Sequence, residues 1–263
     1  MLMGIVNVTP DSFSDGGRFL DAGAAVDHAR RLIAEGADVL DIGGESTRPG
    51  AAPAEAAAEV ARVVPVIEAI RRESDIPISV DTMKPAVARA ALAAGATMWN
   101  DVTALAWAPD SLATAAELGC EVVLMHMQGE PRTMQKQPRY DDVVAEVAAF
   151  LAVGAEAAIA AGVAREHIWV DPGFGFGKTP AHNLDLVRGL PQIAALGFRV
   201  VFGASRKSSI PKIAGDRSGA EQRLGGSIAL ALAAAKGGAA MLRVHDVAET
   251  RQALAVAAAI GDA

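Results

Sequence analysis

Short apolar segments recur along the whole chain, and nearly all of them end in a polar or charged residue. Each has four to six residues and is mostly continuous in apolar character, which is typical of strands buried on both faces of a parallel sheet. Alanine-rich segments with helical periodicity lie between them. The predicted strands are residues 3–8, 39–43, 78–81, 98–101, 122–125, 168–171, 200–204 and 241–244.

Alternation of strand and helix predicts an α/β protein. The helical segments are residues 22–35, 54–72, 86–94, 143–161, 220–236 and 247–260. Eight β/α units in about 250 residues fit a (β/α)8 TIM barrel. A doubly wound open sheet is the main alternative, and periodicity alone does not separate the two. The strand count favours the barrel, and because no linker or low-complexity tract interrupts the chain, residues 1–263 are predicted to form one domain.

The composition excludes several classes of protein. The chain has 24 Lys and Arg against 31 Asp and Glu, and the basic residues form no block, which argues against nucleic-acid binding. We expect no membrane span, because no uncharged apolar run approaches about 18 residues, and the first residues lack the features of a signal peptide. The single cysteine, Cys120, fits a reducing compartment, so a cytoplasmic location is predicted.

The polar residues that follow the predicted strands include both acids and bases. In a barrel, these strand ends meet at one rim, where active sites are built. A carboxylate after a strand is usually a helix cap, and Asp41 or Asp101 alone would be interpreted in that way. Helix caps do not require Arg, Lys and His at the same rim, so the set predicts a functional site. Its members are Asn7, Asp41, Asp81, Asn100, Asp101, His126, Asp171, Ser205, Arg206, Lys207, Arg243 and His245.

Two segments rich in Gly and Pro, residues 7–17 and 43–53, follow the first and second strands. Loops of this length on an active rim are more often binding loops than ordinary surface loops. A third such segment, residues 171–178, lacks both the Walker ending and the Rossmann spacing of nucleotide-binding loops. We interpret it as a turn after Asp171 that lets a flat ligand approach the backbone closely.

A basic cluster follows the seventh and eighth strands. Arg206 and Lys207 stand beside Ser208, and Arg243 and His245 end the last strand. The loops after strands seven and eight are the usual phosphate site of such barrels. In an acidic protein this cluster predicts an anionic substrate, with a set of surface ion pairs as the alternative.

Eight motifs together resemble the dihydropteroate synthase family, the pterin-binding TIM barrels of folate biosynthesis. They occur in the order of that family and extend from residue 3 to about residue 250. They are residues 3–17 (MGIVNVTPDSFSDGG), 41–50 (DIGGESTRPG), 79–82 (SVDT), 100–102 (NDV), 124–129 (LMHMQG), 171–178 (DPGFGFGK), 205–208 (SRKS) and 243–247 (RVHDV).

The resemblance implies a Mg²⁺-dependent transferase, expected as a homodimer, that joins 6-hydroxymethyl-7,8-dihydropterin diphosphate to 4-aminobenzoate. The products are 7,8-dihydropteroate and diphosphate. Of the residues it implies, Asp81, Asp171, Lys207 and Arg243 are predicted to be catalytic. The residues assigned to the pterin are Asp81, Asn100, Met125, Asp171 and Lys207. Those assigned to the diphosphate are Asn7, Arg243 and His245, and Asn7 is also placed at the metal. Those assigned to the aminobenzoate and the closing loops are Phe13, Asp15, Thr47, Arg48 and Ser208.

The chemistry of these residue types agrees with that reaction. An ionised carboxylate can accept the adjacent N–H donors of the amino-pyrimidinone edge of a pterin. Arg243, His245 and Mg²⁺ would neutralise the departing diphosphate, and C–O cleavage would leave a cation conjugated with the pterin. The arylamine could then attack without a strong base.

Two other functions are the alternatives. A pterin-dependent methyltransferase needs no diphosphate, so Arg243, His245 and the first loop would be unexplained. The presence of Asn7 and Lys207 speaks against a non-catalytic pterin carrier.

After Ser208 the chain has Ser-Ile-Pro where many family members have Ile-Gly, so the aminobenzoate end of the site is expected to differ slightly.

Overall fold

The computed structural model describes residues 1–8, 18–46, 54–130 and 133–261, with the side chains of residues 18–21 left aside. Within these residues eight parallel strands pair in chain order, and β8 returns to pair with β1. The predicted TIM barrel is therefore confirmed. The strands are β1 (Leu2–Asn7), β2 (Val39–Gly43), β3 (Ile78–Asp81), β4 (Met98–Asp101), β5 (Glu121–Met125), β6 (Ile168–Asp171), β7 (Arg199–Phe202) and β8 (Met241–Val244).

Helices connect the strands and cover the outside of the barrel. The helices are α1 (Arg18–Ala34), α2 (Ala56–Arg71), α3 (Pro85–Ala93), α4 (Ser111–Leu118), α5 (Val143–Ala161), α6 (Pro180–Arg188), α7 (Leu190–Ala194), α8 (Ser209–Ala214), α9 (Leu224–Lys236) and α10 (Val247–Gly261). The sequence analysis missed α4, α6, α7 and α8, which have five to nine residues and so little periodicity to detect. Thr179 begins α6 with a capping box, and Pro191 stands in the first turn of α7.

Two apolar cores hold the barrel together. The larger lies between the strands and the surrounding helices and contains fully buried side chains such as Ile67, Phe174 and Phe202. The smaller is a separate cluster to which seven strands contribute one residue each, and it is almost completely buried. It consists of Met3, Val39, Met98, Val123, Trp169, Val201 and Met241. These residues stand at or near the start of their strands, so they fill the amino-terminal end of the barrel interior.

Helix α5 is long and apolar enough to span a membrane by length and composition, with a mean hydropathy of 1.9 over 18 residues. No membrane span is predicted from the sequence, since Glu146 and Glu156 interrupt this segment. In the structure Val147, Leu151 and Ala158 on this helix are completely buried in the larger core. A core helix of a barrel passes the same test of length and composition.

Candidate active site

Polar side chains form a layer directly above the small apolar cluster. Asp41, Asn100, Asp171 and Arg243 each follow a cluster residue by two positions, so they lie on the same face of their strands. Asp41 on β2 and Asn100 on β4 are hydrogen-bonded although β3 separates their strands. Such a contact is possible only across the barrel interior. The apolar cluster thus forms the floor of a polar mouth.

Arg243 is the centre of this layer. Its Nε donates to Asp41 Oδ2 at 2.6 Å, and its Nη2 donates to Asp81 Oδ2 at 2.8 Å. Asn100 Nδ2 donates to the same Asp41 oxygen at 3.2 Å. Gly203 on the neighbouring segment makes room for the arginine stem, because a Cβ there would lie 3.4 Å from that of Arg243. One guanidinium therefore joins two carboxylates in the mouth.

Asp41 is completely buried and pairs with Arg243 and Asn100, so it belongs to the predicted polar set and is no helix cap. Its Oδ1 has no hydrogen-bond partner in the part of the chain that the structure describes. A buried carboxylate oxygen without a partner is costly, so Asp41 keeps an unused acceptor. Asp101 is structural but is not the helix cap that its position alone would indicate: Oδ1 accepts from Thr103 N at 2.7 Å and Oδ2 from Leu105 N at 3.2 Å, in a turn before α4.

Two carboxylates of the mouth, Asp81 and Asp171, have raised pKa values. Burial raises the pKa of Asp81 to about 7, although the charge of Arg243 opposes the shift. Burial likewise raises the pKa of Asp171 to about 6. The hydrogen bond that Gly173 N donates to its Oδ1 at 2.7 Å acts in the opposite direction and lowers this pKa. The carboxylates in turn raise the pKa of Arg243 although its burial acts in the opposite direction, so the guanidinium remains charged.

Met125 and Lys207 lie on the two sides of Asp171. Met125 ends β5 in register with Asp171 and belongs to a small buried cluster with Phe176. The ammonium of Lys207 lies 3.8 Å from the centre of the Phe176 ring, a cation–π contact. Burial lowers the pKa of Lys207 to about 7, and the charge of Arg243 adds to the shift while that of Asp171 opposes it.

His245 is held as a neutral donor at the rim. Its backbone N–H donates to Ser205 Oγ at 3.1 Å, and the same hydroxyl lies 2.9 Å from His245 Nδ1. The hydroxyl can donate its proton to Nδ1, which assigns the ring proton to Nε2 and leaves that N–H as a free donor. Burial, reinforced by the charge of Arg243, lowers the pKa of His245 to about 3.

Asn7 and Ser208 follow β1 and β7, which are separated by β8 in the barrel. Asn7 ends β1, and its Oδ1 lies 3.9 Å from the position that a Cβ would take on Gly43. Among the described residues, none forms a hydrogen bond with the side chain of Asn7. Ser208 is exposed at the start of α8 and caps no backbone N–H of that six-residue helix. Pro211 is buried inside α8, so the Ser-Ile-Pro departure is accommodated as helix.

Arg206 does not join the basic cluster as the sequence predicts. Its guanidinium is paired with Asp246 at 2.5 Å and with Glu221 at 2.9 Å, on the outside of the mouth. Its backbone has a φ of +57°, because the chain turns sharply between β7 and α8. The remaining basic groups of the mouth are Lys207, Arg243 and the neutral His245.

The sequence analysis placed Asp41 at the rim without a role of its own, and it did not single out Lys178. Asp41 belongs to the polar layer, and its signal is the two-residue step from the buried Val39. Lys178, which ends the third glycine-rich segment, is 2% exposed and contacts the backbone of that segment. Phe13, Asp15, Thr47 and Arg48 lie outside the described residues. Among the residues that are described, no group of three His, Cys, Asp or Glu side chains could hold a metal ion.

Comparisons with known proteins agree with this geometry. The family model of pterin-binding enzymes matches residues 3–245. The dihydropteroate synthase of Escherichia coli strain K12 is 48% identical over 255 residues, which are 97% of this chain and 89% of that protein.

Solved structures extend the similarity to three dimensions. The Xanthomonas albilineans dihydropteroate synthase with 4-aminobenzoic acid has a TM-score of 0.93 at 53% identity, covering 100% of this chain and 93% of that one. The enzyme from the same organism in complex with 7,8-dihydropteroate has a TM-score of 0.89 at 49% identity, covering 100% and 94%. The chain therefore belongs to the dihydropteroate synthase family of pterin-binding enzymes.

Proposed function

We propose that the barrel mouth joins 6-hydroxymethyl-7,8-dihydropterin diphosphate to 4-aminobenzoate, through the residues of the polar layer. The observation that carries the proposal is the set of buried Asp41, Asn100 and Asp171 and half-buried Asp81 around Arg243. The related Xanthomonas albilineans enzyme is recorded with 4-aminobenzoic acid and with 7,8-dihydropteroate, which supports the two substrates.

The pterin is recognised by buried acceptors. Asp171 keeps Oδ2 for a ligand, because its Oδ1 already accepts from Gly173 N, and Asp41 has a free Oδ1. Asn100 supplies an amide with both a donor and an acceptor. Met125 packs against the ring face, and the adjacent glycine turn admits a flat ligand to the backbone. In a site this deeply buried, each such hydrogen bond discriminates strongly against a ligand that lacks the matching N–H.

The diphosphate is bound at the rim by donors of different kinds. His245 offers its Nε2–H and Arg243 offers charge, and together they stabilise the negative charge that develops on the leaving group. The guanidinium uses one N–H of Nε for Asp41 and one of Nη2 for Asp81, so further N–H groups remain for the diphosphate. The same arginine thus links the pterin half of the site to the diphosphate half.

Mg²⁺ is the proposed cofactor. This ion usually takes one or two protein oxygens, with substrate phosphates and water as its other ligands. Asn7 presents one amide oxygen at the rim, and the described residues hold no acidic cage, so the donors fit an ion that arrives with its diphosphate. When bound, the ion neutralises charge on the leaving group.

The carbon centre needs electrostatic rather than acid–base assistance. When the C–O bond breaks, its electron pair leaves with the diphosphate and the methylene carbon becomes a cation conjugated with the pterin. The ionised carboxylates of Asp81 and Asp171 stabilise that positive charge in a low dielectric. The arylamine nitrogen of 4-aminobenzoate then attacks with its lone pair and loses a proton to solvent.

Diphosphate release tests the proposal directly. Purified protein with the pterin diphosphate and Mg²⁺ should release diphosphate when 4-aminobenzoate is added, and 7,8-dihydropteroate should appear in equal amount. Release without incorporation of the arylamine would contradict the transferase. Pterin binding without any turnover would favour the non-catalytic carrier, and methyl transfer from a methylated pterin to a corrinoid would favour the methyltransferase.

Pterin affinity should depend on pH through Asp171. The pKa of this carboxyl is raised by burial to about 6, and only its ionised form accepts two N–H groups. Affinity is therefore present above that pKa and lost as the pH falls through it, by roughly tenfold between pH 8 and pH 5. Calorimetry with 6-hydroxymethyl-7,8-dihydropterin at both pH values measures the change, and an affinity that rises towards pH 5 would exclude the assignment.

The aminobenzoate subsite is proposed from sequence, since most of its residues lie outside the described ranges. Phe13 supplies an aromatic wall, with Asp15, Thr47, Arg48 and Ser208 as further contacts. Phe13→Ala should raise the KM for 4-aminobenzoate several-fold, for a loss of about 1–2 kcal/mol of aromatic contact, and leave pterin affinity nearly unchanged. Steady-state kinetics with each substrate varied decide the point, and an equal effect on both substrates would contradict the assignment.

We further propose that the chain forms a homodimer, as the family resemblance implies, and that it acts in the cytoplasm, in keeping with its single cysteine. Light scattering on the purified protein measures the first. A mass equal to that of one chain at micromolar concentration would contradict it.

A further inference from the structure

Lys178 is a buried lysine that the proposed reaction does not use. It follows the glycine turn of residues 172–177 and precedes the Thr179 cap of α6. Its side chain points back into the protein, where Nζ makes three close contacts, at 3.0 Å to Gly173 O, 3.0 Å to Phe176 O and 2.9 Å to His126 Nδ1. A longer contact, of 3.4 Å, joins Nζ to His126 O. Only 2% of the residue is exposed.

The three contacts fit an ammonium ion. A protonated lysine has three N–H donors, and each of the three acceptors lies within normal hydrogen-bond distance of Nζ. The pKa of Lys178 is lowered by burial to about 7, while the negative charge of Asp171 opposes the shift. A neutral amine would have only two N–H groups for these three acceptors. The full set of contacts therefore requires the charged form.

Each acceptor of Lys178 leads to a different group of the proposed pterin site. Gly173 accepts from Lys178 through its carbonyl, and its own N–H donates to Asp171 Oδ1. Phe176 accepts through its carbonyl, and its ring lies under the ammonium of Lys207. His126 directly follows Met125 at the end of β5.

The backbone of the turn is shaped for this arrangement. Gly173 has a φ of +69°, and a Cβ on it would lie 1.9 Å from His126 O. The turn after β6 thus packs directly on the segment after β5, and the Lys178 ammonium lies at the junction of the two. A side chain at this glycine would separate the two segments and displace the acceptors from Nζ.

We propose that Lys178 is a positioning residue that fixes Asp171, Lys207 and Met125 for pterin binding by joining the two loops behind them. This inference rests on the proposed function, because it concerns the same site. Lys178 touches neither substrate, and it acts through the backbone of the glycine turn. Removal of its ammonium should loosen the pterin contacts. The diphosphate donors Arg243 and His245 should keep their places, because they lie on β8 and directly after it.

The test is the binding of two separate ligands to Lys178→Met, which keeps the length of the side chain and removes its donors. Calorimetry should show a Kd for 6-hydroxymethyl-7,8-dihydropterin that is about 10- to 100-fold higher than that of the unaltered protein, as expected when binding groups are misplaced. The Kd for inorganic diphosphate with Mg²⁺ should change by less than about twofold. Equal losses for both ligands, or no loss for the pterin, would overturn the proposal.

A matched control separates positioning from simple destabilisation. Ile70→Ala removes completely enclosed core atoms from α2, on another side of the barrel, and should lower the Tm without changing pterin affinity. If this control loses pterin affinity as Lys178→Met does, stability rather than positioning explains the effect.

A milder variant covers the case in which Lys178→Met does not fold. His126→Leu removes the imidazole acceptor and leaves the carbonyl contacts of Lys178, so it should raise the pterin Kd about three- to tenfold. Unchanged affinity in His126→Leu would then overturn the proposal.

Failure of the proposed function gives a different result from failure of this inference, because in that case the unaltered protein would itself bind no pterin and release no diphosphate.

Discussion

Arg243→Ala is expected to lower kcat/KM by about 100- to 1000-fold, the range observed when a preorganised donor to transition-state charge is removed. The guanidinium is the strongest positive charge in the mouth, and it is already held by Asp41 at 2.6 Å and Asp81 at 2.8 Å. It therefore meets the diphosphate without reorganising first. Steady-state kinetics with saturating 4-aminobenzoate measure the loss.

The same variant should reveal the second role of Arg243. The charge of Arg243 lowers the pKa of Asp81 more than any other charge does. Without the guanidinium this pKa rises further, so at pH 7 the carboxyl becomes mostly protonated. Affinity for a pterin without diphosphate should then be weak at pH 7 and recover by pH 9, as the carboxyl ionises. Turnover should not recover at pH 9, because the leaving group still lacks its charge partner. Recovery of both at pH 9 would show that Arg243 serves only the carboxylates.

Asp171→Asn is expected to weaken pterin binding by about 2–4 kcal/mol, or roughly 30- to 1000-fold in Kd. The geometry decides which way the new amide points. Gly173 N–H donates to one oxygen of Asp171, so the asparagine must keep its oxygen on that side and turn its NH₂ towards the ligand. A donor then faces the N–H groups of the pterin. Calorimetry with 6-hydroxymethyl-7,8-dihydropterin measures the loss.

Asp101→Asn provides the matched control. Asp101 is also completely buried, and burial raises its pKa to about 6, but its oxygens accept only from the turn formed by Thr103 and Leu105. This variant should therefore reduce stability and leave pterin affinity nearly unchanged. If Asp101→Asn and Asp171→Asn weaken the pterin equally, burial of charge rather than direct recognition explains both results.

The barrel could be predicted from the sequence because its signals are local. Each strand is a short apolar run with a polar end, and the predicted bounds agree with the structure for β2, β3, β4, β6 and β8. The errors fall at the ends of β1, β5 and β7. The prediction extends β7 to Ala204, but pairing ends at Phe202, because the chain then departs towards the turn at Arg206. Strand ends depend on where the neighbouring strand stops, which no local pattern contains.

The sequence could not predict which charged groups of the site pair with one another. The sequence places Arg206 just after the seventh strand and Arg243 at the end of the eighth, and predicts both for the anion. In the structure Arg243 enters the mouth and joins two carboxylates, whereas Arg206 turns outwards to Asp246 and Glu221. The difference depends on backbone direction, because the left-handed turn at Arg206 follows β7 while Arg243 still belongs to β8.

The sequence by itself determined the family, the (β/α)8 fold and the rim on which the polar residues meet. These follow from the order of the motifs, from hydrophobic periodicity and from the common direction of parallel strands, all of which are properties of residues close together in the chain. Only the tertiary structure decided which polar groups meet inside the barrel. The pairing of Asp41 with Arg243 spans 202 positions, and the contacts of Lys178 join two loops across 52 positions. Such contacts depend on barrel closure and on side-chain direction, since a carboxylate one position away on a strand would face the opposite side.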